Sequence, residues 1–194
     1  MKALNRRQFL GSSFCGAAVL AVAGQTSKAA ASERLQVGCV GVAGRAGQLM
    51  QMFAGLKEVE VVALADVDSR KLPGAARSVE KIQGKKPATE TDFRKLIDNS
   101  EIDALVVGTP DHWHAIPTIL ACMAGKDVYV EKPDGHNIEE GRRMVAAARK
   151  NKRIIQMGTQ SRTSEYFHEA MAWIRSGKLV RCLVAKSWES ARQG

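Results

Sequence analysis

Cysteine is scarce in this chain and poorly placed for cross-linking. The four residues, Cys15, Cys39, Cys122 and Cys182, stand far apart, with no pair at a metal-ligand spacing. The three beyond residue 31 are an odd number set in apolar runs, so they read as buried thiols and not as a disulfide framework. Histidine is equally sparse, with four in all. Asp111, His112 and His114 fall together, but no further histidine stands where it would complete a metal site, and no metal is expected. The apolar run Phe9–Ala23 is too short and too rich in glycine for a comfortable membrane span. After this run there is no internal repeat and no low-complexity segment.

What is present at the start is a targeting pattern. "NRRQFL", with Arg6 and Arg7 ahead of the apolar run, resembles a twin-arginine export signal, and Ser27–Ala31 offers small residues for cleavage. Residues 1–31 are therefore read as a signal peptide on an exported, periplasmic protein that uses the twin-arginine machinery. The alternative is an uncleaved signal that retains the protein at the membrane. Bulky Phe14 before Cys15 argues against lipidation there. Of the 29 basic residues, four (Lys2, Arg6, Arg7 and Lys28) lie in this segment, and none of the 20 acids does. The remainder carries 25 bases against 20 acids, a balance of +5 and not +9. Those bases are interspersed with acids, so nucleic acid is not an expected partner.

From Leu35 onward, short apolar runs alternate with helical patterns. Strands are expected at Leu35–Val40, Val59–Ala65, Ala104–Val107, Asp127–Val130 and Arg153–Met157. Helices are expected near Gly47–Leu56, Ser69–Ile82, Thr91–Asn99, Ala115–Ala124 and Ile138–Lys150, with Gly84–Pro87 a loop beside a further short strand. This rhythm implies an α/β fold with a doubly wound parallel sheet. It breaks near the end: Glu165–Ser176 patterns as a helix, and Leu179–Trp188 alternates like a strand of another sheet. The expected organisation is a first domain over residues 34–158 and an incomplete second one over 159–194.

The first strand runs into "GVAGRAG". A glycine-rich turn from strand to helix lets backbone N–H groups approach a pyrophosphate, so Gly41, Ala43, Gly44 and Arg45 are candidate cofactor contacts. The strict fingerprint has glycine where this chain has Ala43 and Ala46, and a plain tight turn is the rival interpretation. The second strand ends in Asp66, near the offset at which a carboxylate accepts the adenosine ribose hydroxyls and repels a 2′-phosphate. Its alternative role is a cap on the following helix, which Asp68 could also provide. Arg70 is close enough to keep NADP open beside NAD. "VVGTPDHWHAIP" follows the next strand, and Pro117 must fall in the first turn of the helix after it. That leaves a loop at the carboxyl end of the strand, with Thr109, Pro110 and His114 as candidate cofactor-lining residues or as a helix-capping cluster.

"ALADVD", "GTPDHWHAIPTILACMAGKDVYVEKP" and "IIQMGTQSR" together resemble the Gfo/Idh/MocA oxidoreductases, the relatives of glucose–fructose oxidoreductase and inositol dehydrogenase. The likeness covers roughly residues 35–190. It implies a Rossmann-type NAD(P)-binding domain, then an α/β domain with a large open sheet, a sugar, cyclitol or related polyol as substrate, and a homo-oligomer at full length. It makes Lys132 of "EKP" the catalytic lysine, partly buried beside the nicotinamide, where it assists proton transfer from the reacting hydroxyl. Glu131 would contact the nicotinamide ribose or orient Lys132, and the Lys132–Pro133 peptide is expected to be cis. Gln160 and Arg162 are either contacts of cofactor or substrate, or a solvated loop; His168 is taken as a helix-surface residue. Two rivals stand beside the dehydrogenase. One is an exported NAD-dependent glycosidase of the same fold, against which Lys132 argues. The other is an inactive nucleotide-binding fragment.

Overall fold

The computed structural model describes residues 34–178 and 183–187, so the export-signal region lies outside the described residues. In chain order its elements are β1 (Leu35–Val40), α1 (Gly44–Ala54), β2 (Val59–Ala65), α2 (Leu72–Gln83), β3 (Ala88–Glu90), α3 (Arg94–Asp98) and β4 (Ala104–Val107). There follow α4 (Ala115–Met123), β5 (Asp127–Glu131), α5 (Ile138–Asn151), β6 (Ile155–Gly158) and α6 (Glu165–Arg175). Single turns of 3-10 helix lie at Asp111–Trp113 and Gln160–Thr163.

Neighbouring strands are parallel throughout, in the order β3-β2-β1-β4-β5-β6. The first described strand, β1, lies in the middle of the sheet, and the chain winds outward from it both ways, reversing between β1 and β4. Loops leave the carboxyl ends of those two strands toward opposite faces, which opens a crevice between them. The fold is thus the α/β, Rossmann-type doubly wound sheet that the sequence implies.

Both faces of the sheet are covered, which is why its central strands are almost wholly apolar. Successive residues of β1 point to opposite sides. Val37 and Cys39 pack with Leu49, Met50, Ala76 and Val79 of α1 and α2. Val40 packs instead with Leu105, Val107, Cys122, Val128 and Val130. Cys39 and Cys122 are the buried free thiols expected, and burial pushes the Cys39 thiol up to about 12. Cys182 lies outside the described residues.

Element boundaries shift from expectation where side chains hold the backbone in turns. The α2 helix begins at Leu72 and not Ser69, because Asp68 accepts the Arg70 N–H and its guanidinium and holds that stretch as a turn. Asp92 does the same with Arg94, so α3 begins at Arg94 and not Thr91. The β6 strand starts at Ile155 because the Arg153 N–H still bonds the end of α5 and the Ile154 N–H bonds Asp127. Of the expected strand Leu179–Trp188, the described part, residues 183–187, forms no strand. Alternation makes a strand only where a neighbouring edge takes its backbone bonds, and the sheet of described residues ends at β6.

Candidate functional site

The β1 strand ends at Val40, and the chain turns at Gly41 with φ +88°, a conformation costly for any residue bearing a side chain. The Gly41 N–H donates to the Ala65 carbonyl at 2.8 Å. The Val42 N–H donates to Asp66 Oδ2 at 3.1 Å, and the Asp68 N–H donates to Asp66 Oδ1 at 2.9 Å. One carboxylate therefore links the ends of β1 and β2. It caps no helix: Lys71 is the N-cap of α2, without a side-chain cap bond.

Gly44 opens α1, and a Cβ placed on it would meet nothing within 4 Å. Open space thus lies before the first turn of α1, whose N–H groups have no acceptor within the helix. Ala43 is extended (φ −116°, ψ 163°), so its position does not demand glycine. Ala46 stands where the fingerprint's third glycine would allow close helix–strand approach, and the missing space is supplied across the crevice. A Cβ on Gly108 would sit 2.7 Å from the Ala46 Cβ and 2.9 Å from its Cα. Gly108→Ala should therefore cost about 1–3 kcal/mol by overpacking. Ala46→Gly in the same chain should recover part of that loss, since it removes the Cβ contact and leaves the Cα one, giving a non-additive double-mutant cycle in urea unfolding. Strictly additive losses would show that the two residues do not press on each other.

A cleft of about 660 Å³ opens over these turns. Its walls are the glycine turn from Gly41 through Arg45, the β2 end at Asp66–Asp68, Lys71, Thr91 and Phe93. Gly108–Pro110, His112, Trp113 and Pro117 close the other side. Gly41, Ala43, Gly44, Arg45, Asp66, Thr109 and Pro110 thus share one cavity. Arg70 does not line it: its guanidinium turns outward onto Asp68 at 2.8 Å, and its neighbour Lys71 takes the place at the wall. Lys71, Phe93, Gly108 and Trp113 went unnoticed in the sequence. Only Gly108, a glycine directly after an apolar strand, carried a signal that could have marked it.

Three candidates are not among the residues that line the cleft. Glu131 is buried at the end of β5, where Oε1 accepts from Arg45 Nε at 2.9 Å and Oε2 from the Lys132 N–H at 3.1 Å. His114 is buried, with its ring between two backbone carbonyls. Lys132 precedes a cis Lys132–Pro133 peptide, as anticipated, but it is exposed and not partly buried. The described residues build only one side of its surroundings. Val107 and Val130 are register partners, so Thr109 and Lys132, each two positions further on, emerge at the same end of adjacent strands. Gln160 and Arg162 lie exposed on their 3-10 turn, away from the cleft, and His168 is exposed on α6. The Asp111 and His112 side chains meet at 3.4 Å, and the Asp111 carboxyl is held below its usual range chiefly by the His112 N–H.

The Thr109 hydroxyl is buried on this wall with no hydrogen-bond partner. An orphan hydroxyl, unfilled space at Gly44 and unpaired N–H groups at a helix start suit a phosphate-bearing ligand with further polar edges. Placed at the switch point of a doubly wound sheet, these features define a dinucleotide-binding domain. Residues 35–159 match the family model described as "Oxidoreductase family, NAD-binding Rossmann fold" (GFO_IDH_MocA), and the chain belongs to that family. It is an NAD-binding oxidoreductase domain. Among curated relatives it is 30% identical over 129 residues to Glycosyl hydrolase family 109 protein 1 of Shewanella sp. (strain ANA-3), covering 64% of this chain and 28% of that protein. Among solved structures it is similar to myo-inositol 2-dehydrogenase from Lactobacillus plantarum, with TM-score 0.66, 26% identity, and coverage of 75% of this chain and 42% of that one. Scyllo-inositol dehydrogenase from Lactobacillus casei, solved with NAD(H) and scyllo-inositol bound, aligns with TM-score 0.64, 25% identity and the same coverage. The chain spans well under half the length of these relatives.

Proposed function

We propose that the chain is the cofactor-binding part of an exported, NAD-dependent dehydrogenase acting on a CH–OH group of a sugar, cyclitol or related polyol. The observation that carries this is the emergence of Lys132 beside Thr109, at the sheet edge where the cleft opens. When bound, NAD supplies the hydride acceptor. Asp66 accepts the ribose hydroxyls, and the turn from Gly41 to Arg45 receives the pyrophosphate. Lys132 hydrogen-bonds the substrate hydroxyl and assists departure of its proton. Glu131, spent on Arg45 and the Lys132 N–H, fixes the backbone from which that lysine projects. NAD is favoured over NADP by the Asp66 carboxylate at the β2 end, with Lys71 a cation on the same cleft. A further domain, begun in residues 159–194, would complete the substrate site, and the full-length protein would be a homo-oligomer.

The relative named for glycosyl hydrolase family 109 supports a second reading, an NAD-dependent glycosidase of the same fold. Incubating the full-length protein with NAD, polyols and aryl glycosides separates the two. Net NADH formation from a polyol supports the dehydrogenase, whereas sugar release without net NADH supports the glycosidase.

Export rests on Arg6 and Arg7, and the twin-arginine route carries folded proteins, so a dinucleotide bound in the cytoplasm could travel with the chain. Replacing both residues by lysine should leave the precursor inside the cell, as followed by fractionation and immunoblotting. Undiminished export of the double variant would assign another route.

A further inference from the structure

The sequence offers His114 as a cofactor contact, yet the folded chain withdraws it from the cleft. Its residue exposure is 2%, and both ring nitrogens face backbone oxygens. Nε2 lies 2.7 Å from the Thr109 carbonyl oxygen and Nδ1 lies 2.5 Å from that of Pro133. Thr109 belongs to the turn that follows β4 and lines the cleft; Pro133 directly follows Lys132 at the end of β5. The ring is itself anchored from below. His114 is the N-cap residue of α4, its N–H bonds the Asp111 carbonyl, and its own carbonyl accepts the Thr118 hydroxyl at 2.7 Å.

We infer that His114 is a positioning residue, an imidazole tie that sets the segment carrying Lys132 against the cofactor-lining turn after β4. Adjacent strands hold the two segments in register as far as Val107 and Val130. Beyond that pair no ladder bond joins β4 to β5: Gly108 still bonds Val40 of β1 and Glu131 still pairs with Gly158 of β6, so each segment is held on its outer side and a gap is left between them. His114 spans it with one rigid ring. Carbonyl oxygens only accept, so each contact needs an N–H, and both bonds form together only when each ring nitrogen carries a proton. Glu131 provides a second, independent link on the glycine-turn side through Arg45. The β5 end is thereby tied to the β4 turn by His114 and to the α1 start by Glu131. The consequence for turnover rests on Lys132 being the catalytic group; the tie itself rests only on the contacts at His114.

Two measurements on the chain test this without any assay of turnover. The first is long-range ¹H–¹⁵N correlation of the wild-type histidines. A His114 ring with a proton on both nitrogens supports the tie, and a ring with only one N–H, able to bond one carbonyl, overturns it. The second is amide hydrogen exchange in wild type and His114→Gln, with folding verified by circular dichroism. The tie predicts exchange at least tenfold faster in 109–113 and 132–136 together, with the strands β1, β2 and β4 unchanged. Exchange unchanged in both segments, or faster throughout the sheet, would reduce His114 to an ordinary core residue. NADH titration of the wild type runs alongside. Failure to bind there would overturn the cofactor assignment and leave the tie standing, so the two failures are distinct.

Discussion

In the full-length enzyme, Lys132→Met is expected to lower turnover by about 10²–10⁴-fold while leaving NAD affinity nearly unchanged. That range is the usual worth of positioned acid–base assistance. The separation between the two effects follows from the layout. On the proposed reading, affinity arises in the cleft over β1, β2 and β4, from the glycine turn, Asp66 and Thr109, and Lys132 is not among the residues lining that cleft. Its ammonium projects from the end of β5, where methionine keeps the length of the chain but removes every donor. The Glu131 contact to residue 132 is made by a backbone N–H, which survives the substitution. Stopped-flow mixing at saturating NAD over a panel of sugars and cyclitols provides the test. Substrate oxidation at the wild-type rate would make "EKP" a structural turn and remove the lysine from the chemistry.

Asp66→Ala is expected to weaken NADH binding by about 1.5–3 kcal/mol, the value of a hydrogen bond to a charged group. At about 1.4 kcal/mol per factor of ten, that is roughly 10- to 150-fold in dissociation constant. Two losses add in this variant. The ribose hydroxyls lose their acceptor, and the Val42 and Asp68 N–H groups lose the carboxylate that joins the β1 and β2 turns. Asp66→Asn distinguishes them, because its single amide oxygen can keep one backbone bond but carries no charge for the ribose. Fluorescence titration of NADH should therefore place Asn between wild type and Ala. Equal affinity in all three proteins would take Asp66 out of the site.

The two expectations differ in how openly the chain advertises them. Asp66 is legible from local pattern alone, as an acid terminating an apolar run about 25 residues after a glycine turn. Lys132 is legible as a lysine and proline terminating another run, but its relation to Thr109 depends on β4 and β5 being neighbours in register. Arg70 and Lys71 mark the limit of linear reasoning. They are adjacent in sequence, and only the fold decides which faces the cleft, because Asp68 captures Arg70.

By itself the sequence determined most of the strands, the helices between them, the parallel α/β class and the glycine turn after β1. These follow from side-chain periodicity and from backbone demands at single residues such as Gly41, all of them local. Tertiary structure alone decided that Gly108 yields the space Ala46 occupies, that Glu131 meets Arg45 and that His114 joins Thr109 to Pro133. Each of the first two brings together residues more than 60 positions apart, and the third crosses from one strand end to the next. Such contacts depend on strand order and register, which are set when two helical layers bury both faces of one sheet.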